Sequence, residues 1–162
     1  MALADLLTHL FVGYTIGMIL SWRYERIKSP HITAIMVGAA LPDLNRIRLL
    51  LDPIKLEQVF GVPFSWGPIH TVGGVLVIIA IGSLLTVQKD SKMIFILLGI
   101  GAISHLFLDS LLITASGYSY AVFWPFLESH PSTPGLYLST DIWPILVSGP
   151  MALFVKTVDR IM

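Results

Sequence analysis

Cysteine is missing from this chain altogether. That excludes disulfides and thiolate metal sites, and leaves His, Asp, Glu and Asn as possible metal-holding side chains. Charge is scarce as well: 12% of residues are charged, about half of the ~25% usual in a soluble domain. Basic and acidic residues balance to a net charge of zero, so no basic surface points to nucleic acid as a partner. There is no internal repeat and no low-complexity tract. The start, Met1 to Asp5, has no basic stretch and is followed by no small-residue cleavage site, so the first apolar run reads as a retained span and not as a signal peptide.

What the chain has in abundance is apolar side chains, 55% of 162 residues, with a mean hydropathy of +0.81. Several apolar runs approach the ~20 residues that cross a bilayer as a helix. The expectation is a single integral-membrane domain over residues 1–162, lying in the cytoplasmic membrane as a multi-pass protein. Its fold class is all-α: a polytopic helix bundle with four full spans and one short or broken span.

In chain order, Leu3 to Trp22 is the first span, closed by the aromatic and basic border Trp22 to Lys28. Ser29-Pro30 opens a new helix. His31 to Leu41 is apolar but too short for an ordinary span, with Gly38-Ala39-Ala40 suited to close helix packing. It is either a short buried helix or continues through Ile47 to Leu51 with a break at Pro42. Pro53 to Phe60 reads as a short amphipathic piece. A span led in by His70-Thr71 ends near Val87, and Gln88 to Lys92 is a basic turn. Met93 to Ile113 is the next span, Thr114 to Ser139 a long loop, and Thr140 to Val158 the last span, with Ser139-Thr140-Asp141 as its cap.

The basic borders at Arg23–Lys28, Lys89/Lys92 and Lys156/Arg160 are compatible with one cytoplasmic side. Arg46, Arg48 and Lys55 then fall on the outer side and count against this orientation. With the N-terminus outside, four segments carry acid or imidazole to one layer below the outer surface: His9, Asp43 with Asn45, His70, and the pair His105 and Asp109. The last two are one helical turn apart on one face. Ionisable groups in hydrocarbon are costly unless they face an interior site. Imidazole and carboxylate without thiolate suit a divalent metal, zinc first, with manganese or iron as alternatives. The candidate metal ligands are His9, Asp43, His70, His105 and Asp109. Asp43 and Asp109 are also the candidate catalytic carboxylates, Asp43 as ligand or general base. Asp5 sits above His9 as a supporting group. His31 reads as interfacial; His130, Glu128 and Asp141 read as solvated loop residues. Trp66, Trp124 and Trp143 fit an aromatic belt.

Thr8-His9, Gly38-Ala39-Ala40-Leu41-Pro42-Asp43-Leu44-Asn45, Ser65-Trp66-Gly67-Pro68-Ile69-His70-Thr71, Ser104-His105 with Asp109, and Gly117 with Trp124-Pro125 follow one another in order. This set resembles the membrane-bound metal-dependent hydrolases of bacteria and archaea, which include LexA-binding inner-membrane relatives. Pro134 to Asp141 is similar to archaeal members. The resemblance implies a membrane metal site and, through motifs alone, a hydrolase. Two departures stand out: the family's second acid is Asn45 here, and its first His and Arg of the next signature are Ser65 and Trp66. If those positions serve a second metal or a phosphate clamp, this chain lacks both.

The expected function is therefore a metal-dependent hydrolase in the outer half of the membrane, surrounded by lipids and acting on a phosphoester or lipid-linked substrate. The alternative is a non-enzymatic membrane protein using the same residues for metal or proton handling. Against a through-path, Met93 to Ile103 and Val72 to Ala80 carry no ionisable side chain beyond the membrane border.

Overall fold

The first apolar run folds as one helix, α1 (Leu3–Arg23), in the computed structural model of the chain, which describes residues 3–161. Met1 and Ala2, part of the retained-span reading, lie outside the described residues. α2 (Ser29–Ala40) begins where Pro30 occupies the first turn, a position that needs no N–H donor. The ring of His31 accepts the Lys28 N–H at 2.9 Å, so this histidine caps the helix it opens. Pro42 then ends α-helical bonding. The chain continues as a 3₁₀ helix over Leu41–Leu49, which settles the two readings of this segment in favour of a break.

α3 (Pro53–Phe60) is capped by Asp52, whose carboxylate accepts the Ile54 N–H at 3.0 Å, and it stops at Gly61 in the left-handed region. A 3₁₀ turn, Gly67–His70, leads into α4 (Val72–Leu84). α5 (Ser91–Asp109) follows, then a long irregular stretch, then α6 (Trp143–Ile161). The described residues are thus all-helical, without a named strand.

Boundaries differ from expectation at three places. α4 has 13 residues, a rise of about 20 Å, against ~30 Å of bilayer hydrocarbon. α5 stops at Asp109 and not at Ile113, because the chain turns out to pair with the loop. Ile113 N–H donates to the Tyr137 carbonyl at 2.7 Å, and Leu136 N–H to the Leu111 carbonyl at 2.8 Å. α6 starts at Trp143, three residues after Thr140, because Asp141 is spent on a preceding turn, accepting the Leu138 N–H at 2.9 Å. On length and apolarity together, one described helix, α5, suffices to cross a membrane; α4 is apolar but shorter.

α2 lies between α1 and α5, with α6 against α1 and α4 against α5. Small residues let α2 and α5 touch backbone to backbone. A Cβ on Gly38 would strike the Leu98 carbonyl, and one on Gly101 would strike the Ile35 carbonyl and the Ala39 amide. Ala39 in this seam is fully buried, as is Ala102 in the cluster with Val75 and Ile79. Three apolar clusters complete the interior, around Val75, Ile79 and Leu98, around Met18, Ile32 and Val155, and around Ile35 and Leu97.

Polarity is inverted relative to a soluble domain. Asp5, His9, Asp43, His70 and His105 are buried, while large apolar side chains such as Leu84, Ile103, Phe107, Leu153 and Phe154 stand exposed. The end of α1, the start of α2 and the end of α6 come together at one end of the bundle. There Trp22 Nε1 donates to Asp159 at 3.2 Å, and Lys28, Lys156 and Arg160 border one cleft. The buried ionisable groups gather at the opposite end.

Candidate metal centre

Asp109, the last residue of α5, is the hub. Its Oδ2 lies 2.6 Å from His70 Nε2 and 3.4 Å from His105 Nε2, and its Oδ1 lies 3.2 Å from His9 Nε2. Three imidazoles from three separate segments thus direct Nε2 at one carboxylate. The rings of His9 and His105 stack, with centroids 3.8 Å apart and planes 20° apart. His70 meets His105 edge-on at 5.1 Å. His9 and His105 have no exposed side-chain surface, whereas His70 keeps 9% and Asp109 17%.

The break at Pro42 sets two of these rings. His105 Nδ1 lies 2.7 Å from the Ala39 carbonyl, and His70 Nδ1 lies 3.1 Å from the Pro42 carbonyl. Carbonyl oxygens only accept, so both Nδ1 atoms carry the proton. The Ala39 carbonyl is in the last turn of α2, where a helix runs out of donors, and its i+3 neighbour Pro42 has no N–H to offer. With Nδ1 protonated, a neutral ring has a lone pair at Nε2. Two such lone pairs facing a carboxylate repel it unless a proton or a cation lies among them. Pinning one imidazole nitrogen to a backbone carbonyl so that the other faces a metal is the usual orientation of a ligating histidine.

The donor set fits a divalent cation on a second count. His9 Nε2, His105 Nε2 and Asp109 Oδ1 are buried yet make no hydrogen bond of sound geometry. Two sets of ligand atoms lie close enough to share an ion: His9, His105 and Asp109, and Asp43, His70 and His105. His105 belongs to both. Buried polar atoms without partners are costly, and an ion would satisfy these three; His9 Nδ1, buried and also without a hydrogen bond, is outside the set.

Around this core sits a layer of charge. Asp43 receives Arg46, with Nε at 3.1 Å from Oδ1 and Nη2 at 2.8 Å from Oδ2. Arg46 Nη2 also reaches Asp5 Oδ2 at 3.7 Å, and Asp5 Oδ1 is 3.5 Å from His9 Nε2. Arg46 therefore ties α1 to the 3₁₀ segment and sets one positive charge between two buried acids. Tyr137 closes another side, buried, its hydroxyl donating to the Leu108 carbonyl at 3.0 Å. Burial, with the charges of Asp109 and Asp5, pushes its phenol up, so it stays a neutral donor. Tyr120 faces His70 edge-on at 6.2 Å.

All five residues expected as ligands, His9, Asp43, His70, His105 and Asp109, meet here, and Asp5 joins as the supporting group beside His9. Asp109 ends its helix and does not lie inside it. Asn45, Ser65 and Trp66, the three residues of the two departures from the hydrolase motifs, line a separate pocket of about 150 Å³ with Arg48. Trp66 is held there by Nε1 donating to the Leu51 carbonyl at 2.8 Å. His130 is off the site, its Nδ1 donating to the Ser119 carbonyl at 3.0 Å. Arg46 was the member sequence reasoning passed over; the signal for it was the i, i+3 spacing from Asp43.

The sequence matches the YdjM inner membrane protein family over residues 4–160, and the chain belongs to that family. The description names a membrane protein and no reaction. Comparison with curated proteins and with solved structures finds no match.

Proposed function

We propose that this member of the YdjM inner membrane protein family is a multi-pass membrane hydrolase with a divalent metal centre, zinc first, with manganese or iron as alternatives. The observation that carries the reading is the double pinning of His70 and His105. Each spends Nδ1 on a backbone carbonyl and turns Nε2 to Asp109. His9, His105 and Asp109 form the primary ligand set, and His70 and Asp43 extend it. A bound divalent ion supplies Lewis-acid polarisation of an ester or phosphoester oxygen and makes water more acidic. Asp109 holds the imidazoles in register. Asp43, oriented by Arg46, is a second ligand or the acceptor of the proton released from water.

The multi-pass arrangement is supported by the inverted polarity: exposed Leu84, Ile103 and Phe154 face hydrocarbon, and the buried acids and imidazoles face one another. Shorter helices are accommodated where a bilayer thins or a broken helix pair shares a crossing. The non-enzymatic relay is the weaker reading. From the cluster toward the basic end, the described buried side chains include the apolar Val75, Ile79, Leu98 and Ile35 and the hydroxyls of Thr15, Ser83 and Ser148, with no ionisable group among them.

The test is metal analysis of detergent-purified protein grown in metal-replete medium, beside His105→Ala and Asp109→Ala. Stoichiometric metal in the wild type and its loss in both variants is expected. A metal-free wild type, or variants that keep full metal, overturns the assignment.

A further inference from the structure

Among the described candidate ligands, His9 and His105 are closed off, while His70 and Asp109 keep the most exposure. These two border a cavity of about 40 Å³ together with Tyr120 and Leu112. This is room for a small polar group but not for a chain of carbons. Leu106, Ser110, Ser119 and Val122 wall this cavity, and the same four residues wall a second, larger groove of about 460 Å³ between α5 and the loop. The groove lies within the ~300–1,000 Å³ of small-ligand pockets.

The groove has no charged side chain in its lining. Two of its hydroxyls are turned to their own backbone: Ser110 Oγ donates to the Phe107 carbonyl at 2.6 Å, and Ser119 Oγ to the Tyr120 carbonyl at 2.9 Å. What faces the groove is hydrocarbon, from Ile103, Phe107, Leu111 and Phe123. Its border residues Ile103 and Phe107 are 69% and 63% exposed, on the face that a bilayer covers. The wall opposite α5 is fixed, because Val72 N–H donates to the Val122 carbonyl at 2.7 Å and Gly73 N–H to the Trp124 carbonyl at 3.0 Å.

We propose that this groove holds one hydrocarbon chain of a membrane lipid, whose polar head reaches through the shared wall to His70 and Asp109. The inference rests on reading the cluster as a hydrolytic metal site, and it names the substrate class as lipid entering sideways from the bilayer. An apolar groove that shares four wall residues with the small cavity beside His70 and Asp109 selects a molecule that is hydrocarbon at one end and polar at the other.

The test uses the full chain in phosphatidylcholine vesicles containing phosphatidic acid with a diazirine near the end of one acyl chain. Crosslinks are mapped by mass spectrometry, and metal content is measured on the same samples. Labelling concentrated on Phe107, Leu111 and Phe123 is expected. It should fall at least tenfold in Leu111→Trp and, at the exposed mouth, in Ile103→Trp, with metal unchanged in both. A diazirine placed at the head should label Tyr120. Label spread evenly over Val77, Leu153 and the groove, or unchanged by both substitutions, overturns the proposal. Groove labelling in protein without metal supports the chain site and removes the metal reading; bound metal with no groove labelling removes the chain site alone.

Discussion

Asp109→Asn is the sharpest perturbation of the centre. The amide keeps the volume of the carboxylate and removes its charge, while His9, His70 and His105 still direct Nε2 at it from 3.2, 2.6 and 3.4 Å. Removing one partner of a buried charge pair costs about 3–5 kcal/mol. The Asp109 side chain keeps 17% of its surface, so solvent softens the loss and the lower end applies. At ~1.4 kcal/mol per decade, that is a weakening of zinc binding by about a hundredfold or somewhat more. The assay is competition against a chromophoric chelator in detergent, with helix content followed by circular dichroism so that misfolding is seen separately. His130→Ala, off the site, serves as the control and should bind as wild type. Zinc affinity of folded Asp109→Asn within a factor of about ten of wild type would refute the role of this carboxylate as hub.

Gly101→Ala places a methyl on the Ile35 carbonyl and the Ala39 amide. It should lower thermal stability in detergent by about 1–3 kcal/mol and weaken metal binding through the displaced His105. Gly99→Ala, meeting only Ile79 Cδ1 at 3.7 Å, should leave the melting temperature near that of wild type. Arg46→Ala leaves Asp5 and Asp43 buried without their cation. With the Arg46 side chain 23% exposed, a loss of about 1–3 kcal/mol is expected in thermal unfolding; Arg46→Lys should recover only part of it, because the two-point contact with Asp43 is gone. Because the chain has no cysteine, Glu128→Cys and Lys89→Cys report sidedness cleanly. An impermeant maleimide on intact cells should label the first and not the second, and the reverse pattern inverts the orientation.

The site was legible because its members break a strong rule. His9, His105 and Asp109 stand out in apolar runs, and helix arithmetic alone carries them to one end of the bundle. Asp43 and His70 were found the same way, beside Pro42 and Pro68. Arg46 was hidden because a basic residue near a helix end is ordinary, and its partner Asp5 is 41 positions away in sequence. Helix ends were less legible. Leu111, Leu112 and Ile113 are as apolar as the helix before them, so hydropathy cannot see that their backbones bond to Leu136 and Tyr137. Asp141 has the chemistry of a helix cap, yet the preceding turn claims it. Only the fold tells which backbone N–H a carboxylate meets.

The break after α2 has an electrostatic consequence. Peptide dipoles aligned along a helix leave about half a negative charge at its C-terminal end. α2 ends at Ala40 and α5 at Asp109, so two such ends converge on the same small volume, with a carboxylate already there. Ending α-helical bonding at Pro42 turns the Ala39 carbonyl onto the His105 ring, as half-helices in transporters turn theirs toward sodium ions and protons. α1 and α4 begin at the same corner and bring their positive ends to it, so the backbone's pull on a cation is confined to the freed carbonyls, and the carboxylates supply the rest.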